Sequence, residues 1–305
     1  MIKTIEQATQ AYLTKAKSKL KESTFAGYSF TCERHIIPYF QGIELKQINN
    51  QAVNNFIQYK LKNGGLRGKP LSPKTINDMV SLLVQIIKAY TKFDLEIEKP
   101  QYIEDEISIF TDSEYNKLKS YLSIGTDNRK LGIIIAMLTG IRIGELCALK
   151  WEDIDLERED IFINKTIQRI KSADPTTKAK TKIIIDTPKS KASIRKIPIP
   201  EILLSKLRKF KSDDDSYVLT NTKKYIEPRV YQRYFKSYLE ARNIRDYNFH
   251  VLRHTFATRA IAKSVDIKTV SVLLGHTDVN FTMKKYVHPN MEHKRTQIEK
   301  VAVGF

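Results

Sequence analysis

Cysteine is scarce in this 305-residue chain. The two present, Cys32 and Cys147, lie far apart and belong to neither a CxxC pair nor a cysteine–histidine cluster. A disulfide framework or a zinc site is therefore not expected, and both read as small core or surface residues. Long apolar runs are missing too: none approaches the ~18–20 residues that cross a bilayer. The opening Met1-Ile2-Lys3-Thr4 lacks the charged-then-apolar layout of a secretory signal. These absences lead us to expect a soluble, cytoplasmic protein with no membrane partner. There is no internal repeat, and the lysine-rich loop at 171–182 is the only biased tract. Acidic residues are outnumbered, 34 against 52 basic ones, for a net charge of +18. Residues 1–100 carry 15 basic and 8 acidic side chains, a net of +7, which leaves +11 for residues 101–305. No single basic tail explains that spread, whereas a polyanion held by both halves does. Ribosomal and membrane-surface proteins share such a charge, so alone it makes nucleic acid a sensible partner and nothing more.

The first hundred residues read as helices. Thr4-Ile5-Glu6-Gln7 has the form of a capping box. A second helix should run from near Ser23 to near Ile37 and stop before Pro38, and a third from Gln51 to Leu61 before Asn63-Gly64-Gly65. Ser72-Pro73 supplies an N-cap and a first-turn proline. The run that follows, with Ile76, Met79, Val80, Leu83, Ile86 and Ile87, is strongly amphipathic. The stretch from Asp94 to Ser108 is acidic, holds Pro100 and has no sustained period, as a linker would. Thr111-Asp112-Ser113-Glu114 opens a second helical domain with another capping box. Within it, 161–163, 183–185 and 197–199 are short β-branched runs, which predict one small antiparallel sheet. The expected fold is mainly α with that small sheet, an α+β chain of two domains.

Three segments carry chemistry. In Leu138-Thr139-Gly140-Ile141-Arg142-Ile143-Gly144-Glu145-Leu146, an arginine sits among apolar residues between two glycines. A mostly buried arginine needs an anion. Glu145, three residues on, can supply it as an ion pair, or Arg142 can face a phosphate that the glycines allow to approach. In Phe249-His250-Val251-Leu252-Arg253-His254-Thr255-Phe256, the residues His250, Arg253 and His254 share one helical face. A solvated face is one reading. Another is phosphoryl transfer, since the guanidinium fork matches phosphate oxygens and imidazole passes protons near neutral pH. The His-x-x-x-His spacing could serve a metal, but the glutamate of HExxH is missing. The third segment, Leu273-Leu274-Gly275-His276, is followed ten residues later by Tyr286, one of fifteen tyrosines.

Taken in order, TGIRIGEL, HVLRHTFAT, LLGH and Tyr286 resemble the tyrosine recombinase (phage integrase) family over nearly the whole chain. Val251 stands where relatives usually carry Asp, at a position the family pattern leaves variable. The resemblance implies a SAM-like helical domain that binds core-type DNA sites at 1–95, a linker at 96–108, a catalytic domain at 109–290 and a C-terminal tail helix at 291–305. It leaves no room in this chain for the small arm-binding domain many relatives carry. It implies that Tyr286 attacks a phosphodiester to form a 3′-phosphotyrosine bond, with no ATP, metal or other cofactor. Arg142 and Arg253 would clamp the phosphate, His250 would handle the tyrosine proton and His276 would hydrogen-bond the phosphate. Relatives use a lysine on a hairpin between the first arginine and the histidine motif. Thr187-Pro188-Lys189-Ser190-Lys191-Ala192-Ser193-Ile194-Arg195 looks like that hairpin, with Lys189 the best match for the general acid and Lys191 its competitor. Lys191 and Lys74 are further candidates for DNA contact. Implied partners are double-stranded recombination sites, further copies of the chain in a tetrameric synapse on DNA, and an accessory directionality factor.

Two other readings stay open at this point. A type IB topoisomerase would use the same tyrosine chemistry to rejoin the same strand. A regulator that had lost catalysis would bind DNA only, although all six expected residue types are present here.

Overall fold

The computed structural model describes residues 2–65, 68–103, 106–172, 179–188 and 190–286, with Arg295, Ile298, Glu299 and Ala302 beyond them. Two compact units emerge, and no single cut in the chain separates them. One is Met1–Asp105 with Arg169–Lys182; the other is Glu106–Gln168 with Ile183–Phe305.

The first unit is built from α1 (Ile5–Lys17), α2 (Glu22–Thr31), α3 (Asn50–Asn63) and α4 (Pro73–Tyr90). Ser72 starts α4 by accepting the Thr75 N–H, and Pro73 occupies its first turn. The predicted stripe Ile76, Met79, Val80, Leu83, Ile86 and Ile87 is buried throughout, at about 1.5–3 kcal/mol for each large apolar side chain removed from water. It closes a core with Ile5, Cys32, Ile36, Phe40, Val53 and Phe56. Two local features differ from expectation. The Thr4 side chain does cap α1, but Gln7 Oε1 accepts from the Lys3 N–H (2.8 Å) and not from that of Thr4. The second helix also does not run evenly to Ile37: Cys32–Ile36 is a π-turn, with the Ile37 N–H donating to the Cys32 carbonyl. Cys32 and Ile36 are both buried in the core.

The second unit opens as predicted, with Thr111 and Glu114 in a reciprocal capping box on α5 (Asp112–Ser123). Then come α6 (Asn128–Thr139), α7 (Ile143–Ala148), β1 (Ile154–Asp155) and β2 (Asp160–Ile163). β3 (Thr166–Lys171) and β4 (Thr181–Asp186) follow, with 169–171 and 181–182 counted in the first unit, then β5 (Arg195–Pro198). The last elements are α8 (Glu201–Phe210), α9 (Pro228–Glu240), α10 (His250–Ala262), α11 (Ile267–Leu274) and α12 (Val279–Tyr286). The fold class stands as mainly α with small sheets, but the strands form two sheets where one was expected. β1, β2 and β5 are antiparallel, with Ile161 opposite both Ile154 and Ile197. β3 and β4 pair separately. Burial explains the split: β2 and β5 alternate fully buried residues with outward ones, whereas no residue of β4 is fully buried. Among the described residues β5 pairs with β2 and not with β4. No helix among the described residues is long and apolar enough to cross a membrane.

Candidate active site

Glycine starts the site. Gly140 ends α6 in the left-handed region (φ 65°), and a Cβ there would lie 2.7 Å from both Leu274 and Phe256 side-chain atoms. The chain turns at once into α7, with Arg142 at its N-cap. Glu145 closes the first turn by accepting the Arg142 backbone N–H at 3.1 Å and its Nη1 at 2.7 Å. The ion-pair reading of Arg142 is thus present, yet the side chain remains a third exposed, with Nη2 donating to the Gly275 carbonyl (3.3 Å).

The same carboxylate serves a second arginine. Arg195, at the start of β5, is buried and donates Nη2 to Glu145 at 3.0 Å. Burial alone would push the Glu145 carboxyl up, but the charges and hydrogen bonds of Arg195 and then Arg142 hold it below its ordinary range. Sequence reading missed Arg195, which entered only as the end of a lysine-rich segment. Its one signal was a cation on a strand whose neighbour Ile197 points inward.

α11 ends at Gly275 in the left-handed region (φ 67°), with the His276 N–H turned back to the Ser271 carbonyl. The last carbonyls of a helix have no intrahelical donor. Here three arginines take them in succession: Arg195 Nε donates to Leu273 O (2.6 Å), Arg253 Nη2 to Leu274 O (2.6 Å) and Arg142 Nη2 to Gly275 O (3.3 Å). Arg253 is fully buried on α10 and also donates to Gly140 O at 3.0 Å. Desolvation, then repulsion from Arg142 and Arg195, pushes its pKa down to about 9. Three guanidiniums thus gather around one carboxylate and one helix C-terminus, a strongly anion-seeking arrangement.

Tyr286, the last residue of α12, is buried within a small cluster with Ala257, Val270 and Leu274. Its pKa is raised by desolvation, against the opposing pull of Arg253 and Arg142. His276 stacks parallel to its ring at 6.5 Å and is hydrogen-bonded through Nδ1 to Thr282 Oγ1 (2.7 Å). Burial, then the charges of Arg253, Arg142 and Arg195, pushes the His276 pKa down to about 3. The ring bonded to the Tyr286 hydroxyl is that of His254, at 2.8 Å, and not that of His250. His250 keeps an exposed face one turn earlier, with its ring 4.5 Å from that of His254. Packing against the domain, then Arg253 and Arg142, pushes the His250 pKa down to about 4.

Of the remaining predicted residues, Lys191 is exposed on a short turn at 191–193 and Lys74 is exposed in the first turn of α4. Among the described residues, Lys191 is not hydrogen-bonded to the arginine cluster. Lys189 lies outside the described residues, as does nearly all of the tail at 291–305. Cys32 and Cys147 are free and buried. Among the described residues no group of three or more His, Cys, Asp or Glu side chains could hold a metal ion.

The phage integrase family pattern matches residues 108–293, and the N-terminal SAM-like domain of phage integrases matches residues 4–61. The chain belongs to the phage integrase family. It is a tyrosine recombinase, an enzyme of site-specific DNA strand transfer. A tyrosine recombinase XerC-like protein of Caldanaerobacter subterraneus subsp. tengcongensis is 30% identical over 86% of this chain and 67% of its own length. The ICEBs1 integrase of Bacillus subtilis is 22% identical, over 92% of this chain and 78% of its own. The fold is also that of the Tn1549 transposon integrase solved with a circular intermediate DNA (TM-score 0.76, 19% identity, 98% of this chain and 99% of that one). It matches a lambda integrase dimer on a COC′ core site as well (TM-score 0.64, 17% identity, 94% and 97%).

Proposed function

We propose that this recombinase cleaves and rejoins duplex DNA through Tyr286, by way of a 3′-phosphotyrosine bond and without ATP or metal. The observation that supports it is convergence: Arg142, Arg253, His276 and Tyr286, from separate motifs, meet at the C-terminus of α11. Tyrosine is a weak nucleophile at neutral pH, with a pKa of about 10. The arginines compensate by holding the non-bridging oxygens and the charge that grows on them. His276 donates to the phosphate, the exposed face of His250 turns toward it, and Lys189 protonates the departing 5′ oxygen. One phosphoester replaces another, so the bond energy stays on the enzyme until a 5′ hydroxyl from a partner strand reverses the step.

Residues 1–95 take the role of binding core-type sites and 109–290 that of catalysis, with 96–108 as linker and 291–305 available for contacts between protomers. Lys74 and Lys191 add phosphate contacts. A tetrameric synapse is supported by the fold shared with a lambda integrase tetramer on a Holliday junction (TM-score 0.62, 18% identity, 94% of this chain and 79% of that one). The work of such an enzyme is with DNA in the cytoplasm, with a directionality factor as an accessory.

The test is a nicked suicide duplex that traps the covalent adduct. Wild-type protein should form it, and Tyr286→Phe should bind the duplex equally while forming none. An adduct that survives Tyr286→Phe, or that maps to another tyrosine, refutes the assignment.

A further inference from the structure

Lys189 immediately precedes the turn at 190–193, and Arg195, at the start of β5, follows it. We propose that Arg195 is a positioning residue: it seats this turn on the C-terminus of α11 and so holds the general acid in register with the phosphate clamp. This rests on the reading of Lys189 as the general acid.

One guanidinium meets acceptors on three separate pieces of the domain. Nε donates to the Leu273 carbonyl on α11 (2.6 Å), Nη1 to the Ser193 carbonyl on the turn (3.1 Å) and Nη2 to the Glu145 carboxylate on α7 (3.0 Å). The side chain is only 4% exposed, and a buried polar group needs such partners. Further contacts seat the same turn on α11. Ser193 Oγ donates to the Gly275 carbonyl (3.4 Å) and is hydrogen-bonded to Ser190 Oγ (2.9 Å). Inside the turn, the Ser193 N–H donates to the Ser190 carbonyl and the Ile194 N–H to the Lys191 carbonyl, each at 3.0 Å. Gly275 has no side chain to hold the turn away. A Cβ there would lie 3.0 Å from the Ala192 carbonyl oxygen and 3.1 Å from Ser193 Cα.

The anchors are shared with the clamp. The Gly275 carbonyl takes both Ser193 Oγ and Arg142 Nη2, and Glu145 takes both Arg195 and Arg142. One carbonyl and one carboxylate therefore tie the turn to the arginine proposed to hold the phosphate. In the cleavage step the Tyr286 oxygen bonds to phosphorus and the P–O5′ bond breaks. Its electron pair leaves with O5′, which takes a proton from the lysine ammonium. A turn that has come loose misplaces that ammonium and leaves the clamp standing. Lysine at 195 would keep a positive charge beside Glu145, but its single nitrogen cannot span the three acceptors that the guanidinium fork reaches.

The test uses full-length protein in single-turnover cleavage of the suicide duplex, with rates taken per DNA-bound molecule. Two substrates are compared: ordinary DNA, and a duplex whose bridging 5′ oxygen at the scissile phosphate is sulfur. The thiolate leaves without a proton, so it needs no general acid. On ordinary DNA, Arg195→Lys should fall by about 10²-fold, the loss that a misplacement of about 1 Å can bring. On the sulfur substrate it should come back close to the wild-type rate, as Lys189→Ala should, while Arg253→Ala stays slow on both. A wild-type rate for Arg195→Lys on ordinary DNA overturns the proposal. So does an equal loss on both substrates, which would place Arg195 in the clamp or in the fold alone. If Arg195→Lys does not fold, Ser193→Ala decides, since it loosens the turn and leaves the guanidinium in place. It should show a smaller loss that sulfur reverses; no loss, or a loss that persists, overturns the proposal. If sulfur rescues neither Lys189→Ala nor Lys191→Ala, the general-acid reading falls first, and the proposal falls with it.

Discussion

Replacing Glu145 by glutamine keeps the side chain's shape and removes its charge. Both carboxylate oxygens are in use: Oε1 takes Arg142 Nη1 at 2.7 Å, while Oε2 takes the Arg142 backbone N–H at 3.1 Å and Arg195 Nη2 at 3.0 Å. Glutamine offers one carbonyl and one NH2. In either orientation the NH2 meets a donor, so at least one buried N–H loses its acceptor. Arg195, as buried as the carboxylate it faces, also loses its counter-charge. Removing one partner from a buried, hydrogen-bonded ion pair costs about 3–5 kcal/mol. For a unit of this size that is a fall of roughly 6–20 °C in melting temperature, at about 2–4 °C per kcal/mol. The measurement is urea and thermal unfolding of wild type and Glu145→Gln, with and without a short duplex carrying one site. The DNA-free protein should show the full loss, and the bound one less, because a phosphate then supplies the missing anion. Cleavage should also slow, since Arg142 is held at the N-cap of α7 by that carboxylate. A loss under about 1 kcal/mol, which is ordinary for a substitution away from any buried charge, would refute the argument if cleavage were also unchanged.

Acid should weaken the fold over a defined window. The folded pKa values of His254 (about 4) and His276 (about 3) lie below the ordinary value of about 6.5. The unfolded chain therefore binds more protons between about pH 6.5 and 4, and stability falls as pH falls through that range. Urea midpoints at pH 7, 6 and 5 should drop, more shallowly in His254→Asn; an equal slope in the variant would count against a buried, neutral His254. For the general acid, a 5′-phosphorothiolate substrate provides a leaving group that needs no protonation. It should rescue Lys189→Ala but not Arg253→Ala, and Lys191→Ala should lose less than Lys189→Ala on ordinary DNA. Equal loss for both lysines, or no rescue, leaves Lys189 without that role.

Local signals were legible wherever their cause was local. Ser72 and Pro73 start α4 and Thr111 boxes with Glu114, because each cap needs only its own first turn. The buried stripe of α4 followed from its period. The π-turn at Cys32–Ile36 did not, since no residue of that segment marks it in the sequence. The two sheets read as one because β-branched runs say which residues pair well, not with which strand they pair. At the site, spacing gave Arg142 with Glu145 and the shared face of His250, Arg253 and His254. It could not give Arg195 on Glu145, which lie 50 residues apart, nor tell which histidine meets Tyr286. The alternatives for Arg142 were also less exclusive than they looked: one guanidinium nitrogen pairs with Glu145 while another reaches the carbonyl beside His276.

The charges around α11 show why such a site is suited to bond exchange and not only to binding. Arg142, Arg195 and Arg253 bring three positive charges, and Glu145 returns one negative. The C-terminus of α11 adds roughly half a negative charge, which leaves the site about +1.5. A phosphodiester carries one negative charge and brings this to about +0.5. Once the phenol proton has left, the pentacoordinate phosphorus group carries two, and the sum becomes about −0.5. The cluster is thus under-compensated when free and close to neutral on both sides of the attack, so charge that develops on phosphorus is met by cations already in place. Those cations need not move to do it. Arg253 and Arg195 are buried and tied to backbone carbonyls at 2.6 Å, so the ordering cost was met at folding. Stabilisation that grows with developing charge and needs no reorganisation accelerates a reaction, whereas equal attraction for ground and transition states does not. The depressed pKa of Arg253 belongs to the same arrangement: burial first, then repulsion from Arg142 and Arg195, disfavours its charge in the free protein, and a scissile phosphate offsets both.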